Sequence, residues 1–426
     1  MPASKHVLLI TYYWPPGGGP GVHRWLRFSK YFNENGLKLH VYCPQDAAWP
    51  IIDPELQKQV DPSVIEVRNS IFEPHKYLGK KNNPNVGGGL TQKGKSSVLQ
   101  RLIIWVRGNL FIPDARVFWI NPSYRFLKNY LREHPEIKTV ISTGPPHSLH
   151  VIALKLKRKI DFKWVADFRD PWTEIDFYDD LNIGKWADTK QKRLEKACLQ
   201  TADEVITVSA SCADGLEKIG EREVKVITNG YDFPEFDPSS IEMDSDFSLS
   251  HFGSLPASRN PKMLWKALGQ LVSENTQIRE RLRIKLFGPV DYSIFEAIEQ
   301  NGLSAFVSHV EMLKHAESIL EQRKVQMLLL IANNTGNVKG ILTGKFFEYL
   351  GAKRPILAVG LKESDLEKAV KDTACGEFFD YDELEQMKSY LLNSFEKYQA
   401  GILQVNTQNL EQFTSRNLAR KVCELC

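Results

Sequence analysis

The sequence predicts an α/β protein made of two doubly wound parallel sheets. Three observations predict it. Strand and helix patterns alternate in two sets along the chain, a polar stretch broken by prolines separates the sets, and glycine or small polar residues stand at the junctions from strand to helix. A chain of 426 residues exceeds one ordinary core and fits two domains of roughly 200 residues each.

The first set opens with the apolar run His6 to Trp14 and the loop Pro15-Pro16-Gly17-Gly18-Gly19-Pro20-Gly21. Val22, Trp25, Leu26 and Phe32 then keep a helical spacing that stops at Gly36, and Leu37 to Tyr42 supplies the next strand. Glycines between a strand and a helix let the backbone approach a ligand at the carboxyl edge of a parallel sheet, which makes Gly18 and Gly19 candidate contacts. The loop is not G-x-G-x-x-G, and no acidic residue suited to a ribose closes the second strand, so a nicotinamide site is disfavoured. A bare strand-turn-helix fits the same residues.

Thr139 to Ser142 reads as a strand, Thr143-Gly144-Pro145-Pro146-His147-Ser148 as a loop, and Leu149 to Lys159 as a helix. The next strand, Lys163 to Phe168, runs into Arg169-Asp170-Pro171-Trp172. Asp167, Arg169 and Asp170 thus put two carboxylates and a guanidinium where α/β enzymes hold ligands. An internal Asp–Arg pair that locks the loop is the alternative account. The set ends with Val224 to Thr228 and the turn Asn229-Gly230. Residues 234–246 are polar, interrupted by Pro234 and Pro238, and read as a linker between a domain over 1–233 and one over 247–404.

The second set has strands at Phe247 to Phe252, Arg283 to Phe287, Val307 to Val310, Val325 to Ile331 and Ile356 to Val359. Helices fall near Pro261 to Val272 and Tyr292 to Gln300. The spacing of Val405, Leu410, Phe413, Leu418, Val422 and Leu425 suits a final helix over 405–426. Thr343-Gly344-Lys345-Phe346-Phe347-Glu348-Tyr349-Leu350-Gly351 carries the most information. Thr343 and Gly344 fall where a helix should begin, and its unpaired N–H groups beside Lys345 make a seat for phosphate. Glu348 lies one turn further, about 5 Å along the axis, placed to accept bonds from sugar hydroxyls. Together they suggest a nucleotide or nucleotide-sugar. An amphipathic helix with Phe346, Phe347 and Leu350 inward and Glu348 solvated fits the same spacing.

Lys80, Lys81, Lys93, Lys95, Arg101 and Arg107 are interleaved with Leu102 to Trp105 and Leu110 to Ile112, after Gly87 to Gly89. Such a mixture over 93–112 suits an anionic membrane surface or a lipid-linked acceptor, and equally a helix packed on its own domain with solvated lysines. Apolar residues at 42% and charged residues at 25% are ordinary for a globular protein, and a net charge of +3 is too small to argue for a nucleic-acid partner. Six scattered cysteines suit free thiols in a reducing compartment, and Cys423-Glu424-Leu425-Cys426 lacks a second pair to complete a zinc site. No window approaches the ~20 apolar residues that span a bilayer, so a cytoplasmic protein is expected, with or without peripheral contact at the inner face of the membrane.

The Pro-Pro-Gly-Gly-Gly loop, Ser142 to His147, Asp167 to Trp172, His251-Phe252-Gly253-Ser254 and Gly344 to Leu350, in this order over nearly the whole chain, resemble the family-4 glycosyltransferases of bacteria. The resemblance implies a GT-B architecture, two Rossmann-like domains facing across a cleft, with the final helix returning to the first domain. It also implies a nucleotide-sugar donor held mainly by the second domain, a glycan or lipid-linked acceptor, no metal or other cofactor, and transfer with retention in cell-surface polysaccharide assembly. The family's loop after the first strand of its second domain carries Gly-Arg and, five residues on, a Lys that together hold the diphosphate. Here Gly253 precedes Ser254 at the Arg position and Arg259 stands at the Lys position, leaving Lys345 to supply a second cation. Glu348 matches the second Glu of the family's E-x7-E motif, which binds ribose, whereas the first falls at Gly340. The resemblance further implies attack by the acceptor hydroxyl on the face the diphosphate leaves. Asp170 and His147 are then candidates to orient acceptor or sugar, with Arg169 beside them and Asp167 on the acceptor side. A GT-B sugar-nucleotide epimerase, or a GT-B protein that binds nucleotide or glycan without turnover, fits the same motifs.

Overall fold

The computed structural model describes residues 5–73, 105–175, 178, 181–232, 241–311, 313–334, 340 and 342–426. The basic and glycine-rich positions of 80–104 and the linker positions 234–240 lie outside them. The described residues up to Gly230, together with Phe413–Cys426, form one compact unit, and those from Tyr231 to Gln412 form the other.

The first unit holds a seven-stranded sheet made of β1 (Lys5–Ile10), β2 (Leu37–Pro44), β3 (Ile65–Asn69), β4 (Ile137–Gly144), β5 (Lys163–Phe168), β6 (Glu204–Thr207) and β7 (Lys225–Val226). All neighbours are parallel, in the order β3-β2-β1-β4-β5-β6-β7. Alternate residues of β1 feed two cores. Leu8 and Ile10 join one with Trp119, Leu149 and Trp164, while Val7 and Leu9 join the other with Trp25 and Phe28. Both faces of the sheet are packed into cores, which is why Val7 to Ile10 of β1 and Thr139 to Gly144 of β4 are buried without alternation.

The final helix, Ser415–Glu424, is shorter than the apolar spacing suggests. Thr414 accepts the N–H of Asn417 and caps its start, and 402–409 have no regular structure. Its Leu418, Ala419 and Val422 complete the second of the two cores of the first unit.

The second unit holds a six-stranded sheet made of β8 (Phe247–Phe252), β9 (Leu282–Phe287), β10 (Val307–Val310), β11 (Met327–Ile331), β12 (Ile356–Val359) and β13 (Gly376–Phe379). It is also parallel throughout, in the order β10-β9-β8-β11-β12-β13. Every residue of β8 and β11 is buried. Renumbered from its first strand, this order is the same as that of the first six strands in the other sheet. In each, the order reverses beside the first strand, and ligands of such sheets sit outside the carboxyl ends at that reversal.

Candidate functional site

In the second unit the reversal lies between β8 and β11. Gly253 follows β8 directly, and the helix Gly344–Ala352 is the first after β11. Tyr349 fastens that helix to the strand, its buried hydroxyl accepting the N–H of Phe252 at 3.0 Å. Lys345, on the first turn, therefore passes over Gly253. A Cβ on Gly253 would lie 2.5 Å from Lys345 Cε and 2.6 Å from its Nζ, and the φ of +97° is itself in the region that favours glycine. Gly288, at the end of β9, has φ +117° and backs onto Gly253, where a Cβ would come within 2.8 Å of the Gly253 carbonyl.

The side chains here form one electrostatic group. Lys345 Nζ lies 3.4 Å from Nε2 of His251, a fully buried residue of β8 whose Nδ1 donates to the Leu329 carbonyl at 2.9 Å. Burial, and then the Lys345 charge, push His251 well below the ordinary imidazole range, so the ring is neutral. Burial, followed by the charge of Arg259, lowers Lys345 to about 7, against a smaller opposing effect of Glu348. Arg259 ends the short turn Ala257–Arg259, and its Nε donates to Asn333 Oδ1. The structure thus brings Arg259, Lys345 and Glu348 to one edge of the sheet from segments far apart in sequence.

Gly253, Gly288, Glu311, His315, Lys345 and Glu348 help line a cavity of about 300 Å³ at this edge. Glu348 Oε1 is 3.9 Å from His315 Nε2. Thr343 precedes the helix without capping it, and its Oγ1 is buried with no hydrogen-bond partner, as is Oε1 of Gln322 in the cavity wall. Gly344 is exposed, with open space where a Cβ would stand, and Ser254 is exposed beyond Gly253. Gly340 is buried in a turn. The first turn of a helix, an adjacent lysine and unsatisfied polar atoms fit an anionic ligand bearing hydroxyls. A wider cavity of about 700 Å³ lies beside the turn Ala257–Arg259, with Ser258, Asn260, Asn334, Asp382 and Tyr381 in its wall.

In the first unit the reversal lies between β1 and β4. Gly19, φ +92°, precedes the helix Pro20–Ser29, and the Gly18 N–H donates to the Ile51 carbonyl at 2.9 Å. Arg169 joins the two loops at this edge. Its Nη1 donates to Gly21 O at 2.8 Å, its Nη2 to Pro145 O at 2.6 Å and its Nε to Gly144 O at 3.2 Å. Asp170 is exposed on the loop that follows β5.

Asp167 faces inward and is fully buried. It accepts from Arg24 at 3.1 and 3.2 Å, from Trp25 Nε1 at 2.8 Å and from Thr143 Oγ1 at 2.8 Å. The internal ion pair that the sequence allows for Asp167 is therefore made with Arg24 of the first helix, not with neighbouring Arg169. His147 stands at the start of the helix Ser148–Lys157, 7% exposed, with its ring stacked on Trp172 at 4.9 Å and 4°. Burial, then the charges of His150 and Arg169, hold it well below the usual imidazole range. Of the residues that shape these two edges, His315, Asn333 and Arg24 carry no signal in the sequence, because each is recruited by a partner from a distant segment, Glu348, Arg259 and Asp167 respectively.

No protein-family model matches the chain, and no curated protein matches it either. Solved structures do. A glycosyltransferase from Rickettsia africae ESF-5 is similar over 99% of this chain and 97% of its own, at 12% identity and a TM-score of 0.62. TarM of S. aureus, in a complex with fondaparinux, α-GlcNAc-glycerol and UDP, is similar over 99% and 96%, at 11% identity and a TM-score of 0.55. A putative UDP-N-acetylglucosamine 2-epimerase from Listeria monocytogenes is similar over 99% and 95%, at 10% identity and a TM-score of 0.53. These likenesses, with the two parallel sheets, show an α/β two-domain fold of the GT-B kind.

Proposed function

We propose that the chain is a glycosyltransferase that moves a sugar from a nucleotide-sugar donor to a glycan or lipid-linked acceptor in cell-surface polysaccharide assembly. The observation that carries this reading is that Lys345 and Glu348 line one cavity at the reversal of the second sheet, with Arg259 near enough to act on the Lys345 charge. Lys345 and Arg259 would neutralise the diphosphate, with Gly253, Ser254, Thr343 and Gly344 giving backbone access, and Glu348 would accept the ribose hydroxyls. TarM, which shares the fold, is described in a complex with UDP. The motif resemblance points further, to a family-4 enzyme acting with retention, with phosphate oxygen receiving the acceptor proton. Asp170 and His147 would lie on the acceptor side, on loops braced by Asp167 and Arg169, and Gly18 and Gly19 would complete the donor contacts. The basic and apolar stretch over 93–112 would rest on the membrane surface, and among the described residues no helix is long and apolar enough to cross it.

Acceptor-dependent release of nucleoside diphosphate is the experiment that tests the function. A protein that converts the nucleotide-sugar without any acceptor would instead be an epimerase, the second reading, favoured by the Listeria neighbour. Two outcomes are expected of the site. Glu348→Ala should weaken nucleoside-diphosphate binding by about 1.5–3 kcal/mol, the value of a hydrogen bond to a charged group, with an unchanged melting temperature. Unaltered affinity in calorimetry would remove Glu348 from the site. Because the two cations carry the leaving diphosphate, turnover should also survive excess chelator. Loss of activity in chelator, restored by manganese, would reject metal-free transfer.

A further inference from the structure

Lys345 has few neighbours able to hold a charge. Its one hydrogen-bond partner among the described residues is His251, and Glu348, one turn along the same helix, lies 3.9 Å from His315. With Nδ1 of His251 committed to the Leu329 carbonyl, a lone pair on Nε2 faces the lysine. A neutral imidazole fixes Nζ in place but brings no countercharge. Of the other charged groups around Nζ, Arg259 on the turn 257–259 opposes protonation and Glu348 favours it, while Glu311 and His315 lie further round the cavity.

We propose that this site takes its diphosphate together with one proton from solvent, Lys345 standing as a free amine positioned by His251 and becoming an ammonium as the anion binds. The proposal rests on the donor-site reading above. The bound phosphate supplies the countercharge that the protein withholds, and departure of the nucleoside diphosphate returns the proton. His251 is a positioning residue, acting through Lys345. The sign follows from Lys345 lying at about 7 before binding. Affinity is fully expressed below that pH and falls as pH rises, approaching tenfold per unit until the bound ammonium itself titrates.

Calorimetric titration with UDP, GDP and ADP at about pH 8, in buffers of different ionisation enthalpy, counts the protons. A group at about 7 is roughly nine-tenths amine there, so binding should take up close to one proton per site. Lys345→Arg, always charged, should bind with almost no uptake. His251→Phe should weaken binding about tenfold, and His251→Gln, which keeps an acceptor, should restore both affinity and pH dependence. A merely structural histidine would lower the melting temperature in both variants without moving the proton count. Binding by the wild type without proton uptake would overturn the inference and leave the donor seat standing. Failure of all three nucleotides to bind the folded protein would overturn the donor reading and the inference with it. If His251→Phe does not fold, the wild type and Lys345→Arg still decide.

Discussion

Arg259→Ala and Lys345→Ala are each expected to depress turnover on the order of 100-fold or more, and the double variant to depart from the product of the two effects. Negative charge grows on the leaving diphosphate as the glycosidic bond breaks, and an oriented donor aimed at that charge is worth most in the transition state. The two side chains come from a turn after β8 and a helix after β11, yet each feels the other's charge, since Arg259 is the main electrostatic influence on Lys345. Groups that share one ligand do not act independently, so the coupling should be readable in a double-mutant cycle of kcat/KM. Neither change should unfold the protein, because Lys345 lines a cavity and Arg259 ends a short turn outside both hydrophobic cores. Mild, additive losses in folded variants would mean that the two cations do not meet on one ligand.

Asp167→Ala carries the largest expected effect on stability. Four hydrogen bonds converge on this buried carboxylate, and Arg24, itself buried, also donates to the carbonyls of Ile227 and Thr228. Through that pair the end of β5 is tied to the first helix and to the segment after β7. Truncating one partner leaves the guanidinium buried without a countercharge, a change that costs about 3–5 kcal/mol. Denaturant unfolding should show the loss in the transition of the first unit. A cost below about 1 kcal/mol would show that the carbonyls and Asn229 suffice to hold Arg24.

The sheets were legible in part because β11, buried on both faces, reads as an unbroken apolar run, and β9 as an alternation of apolar and basic residues. β3 was not, since only Val67 of its five residues is buried and the edge position leaves its pattern half polar. Lys345 and Glu348 were legible as a pair because helical spacing fixes their separation before any tertiary contact forms. The two acidic positions at the end of β5 and just after it diverge for a reason the sequence does not hold. Asp167 is captured by Arg24, 143 residues away, whereas Arg169 spends its guanidinium on carbonyls of two loops and Asp170 stays exposed. His251 stands inside a motif that the sequence singled out, but its part depends on Leu329 and Lys345, 78 and 94 residues distant.

The central claim, that the edge formed by Gly253, Arg259 and Lys345 seats a diphosphate, is tested most directly by a crystal structure of the protein with a bound nucleoside diphosphate. Phosphate oxygens are expected at about 2.7–2.9 Å from Lys345 Nζ and from the Arg259 guanidinium, with the ribose hydroxyls on Glu348. An ordered nucleotide in the wider cavity beside Tyr381, with Lys345 still facing His251, would contradict it.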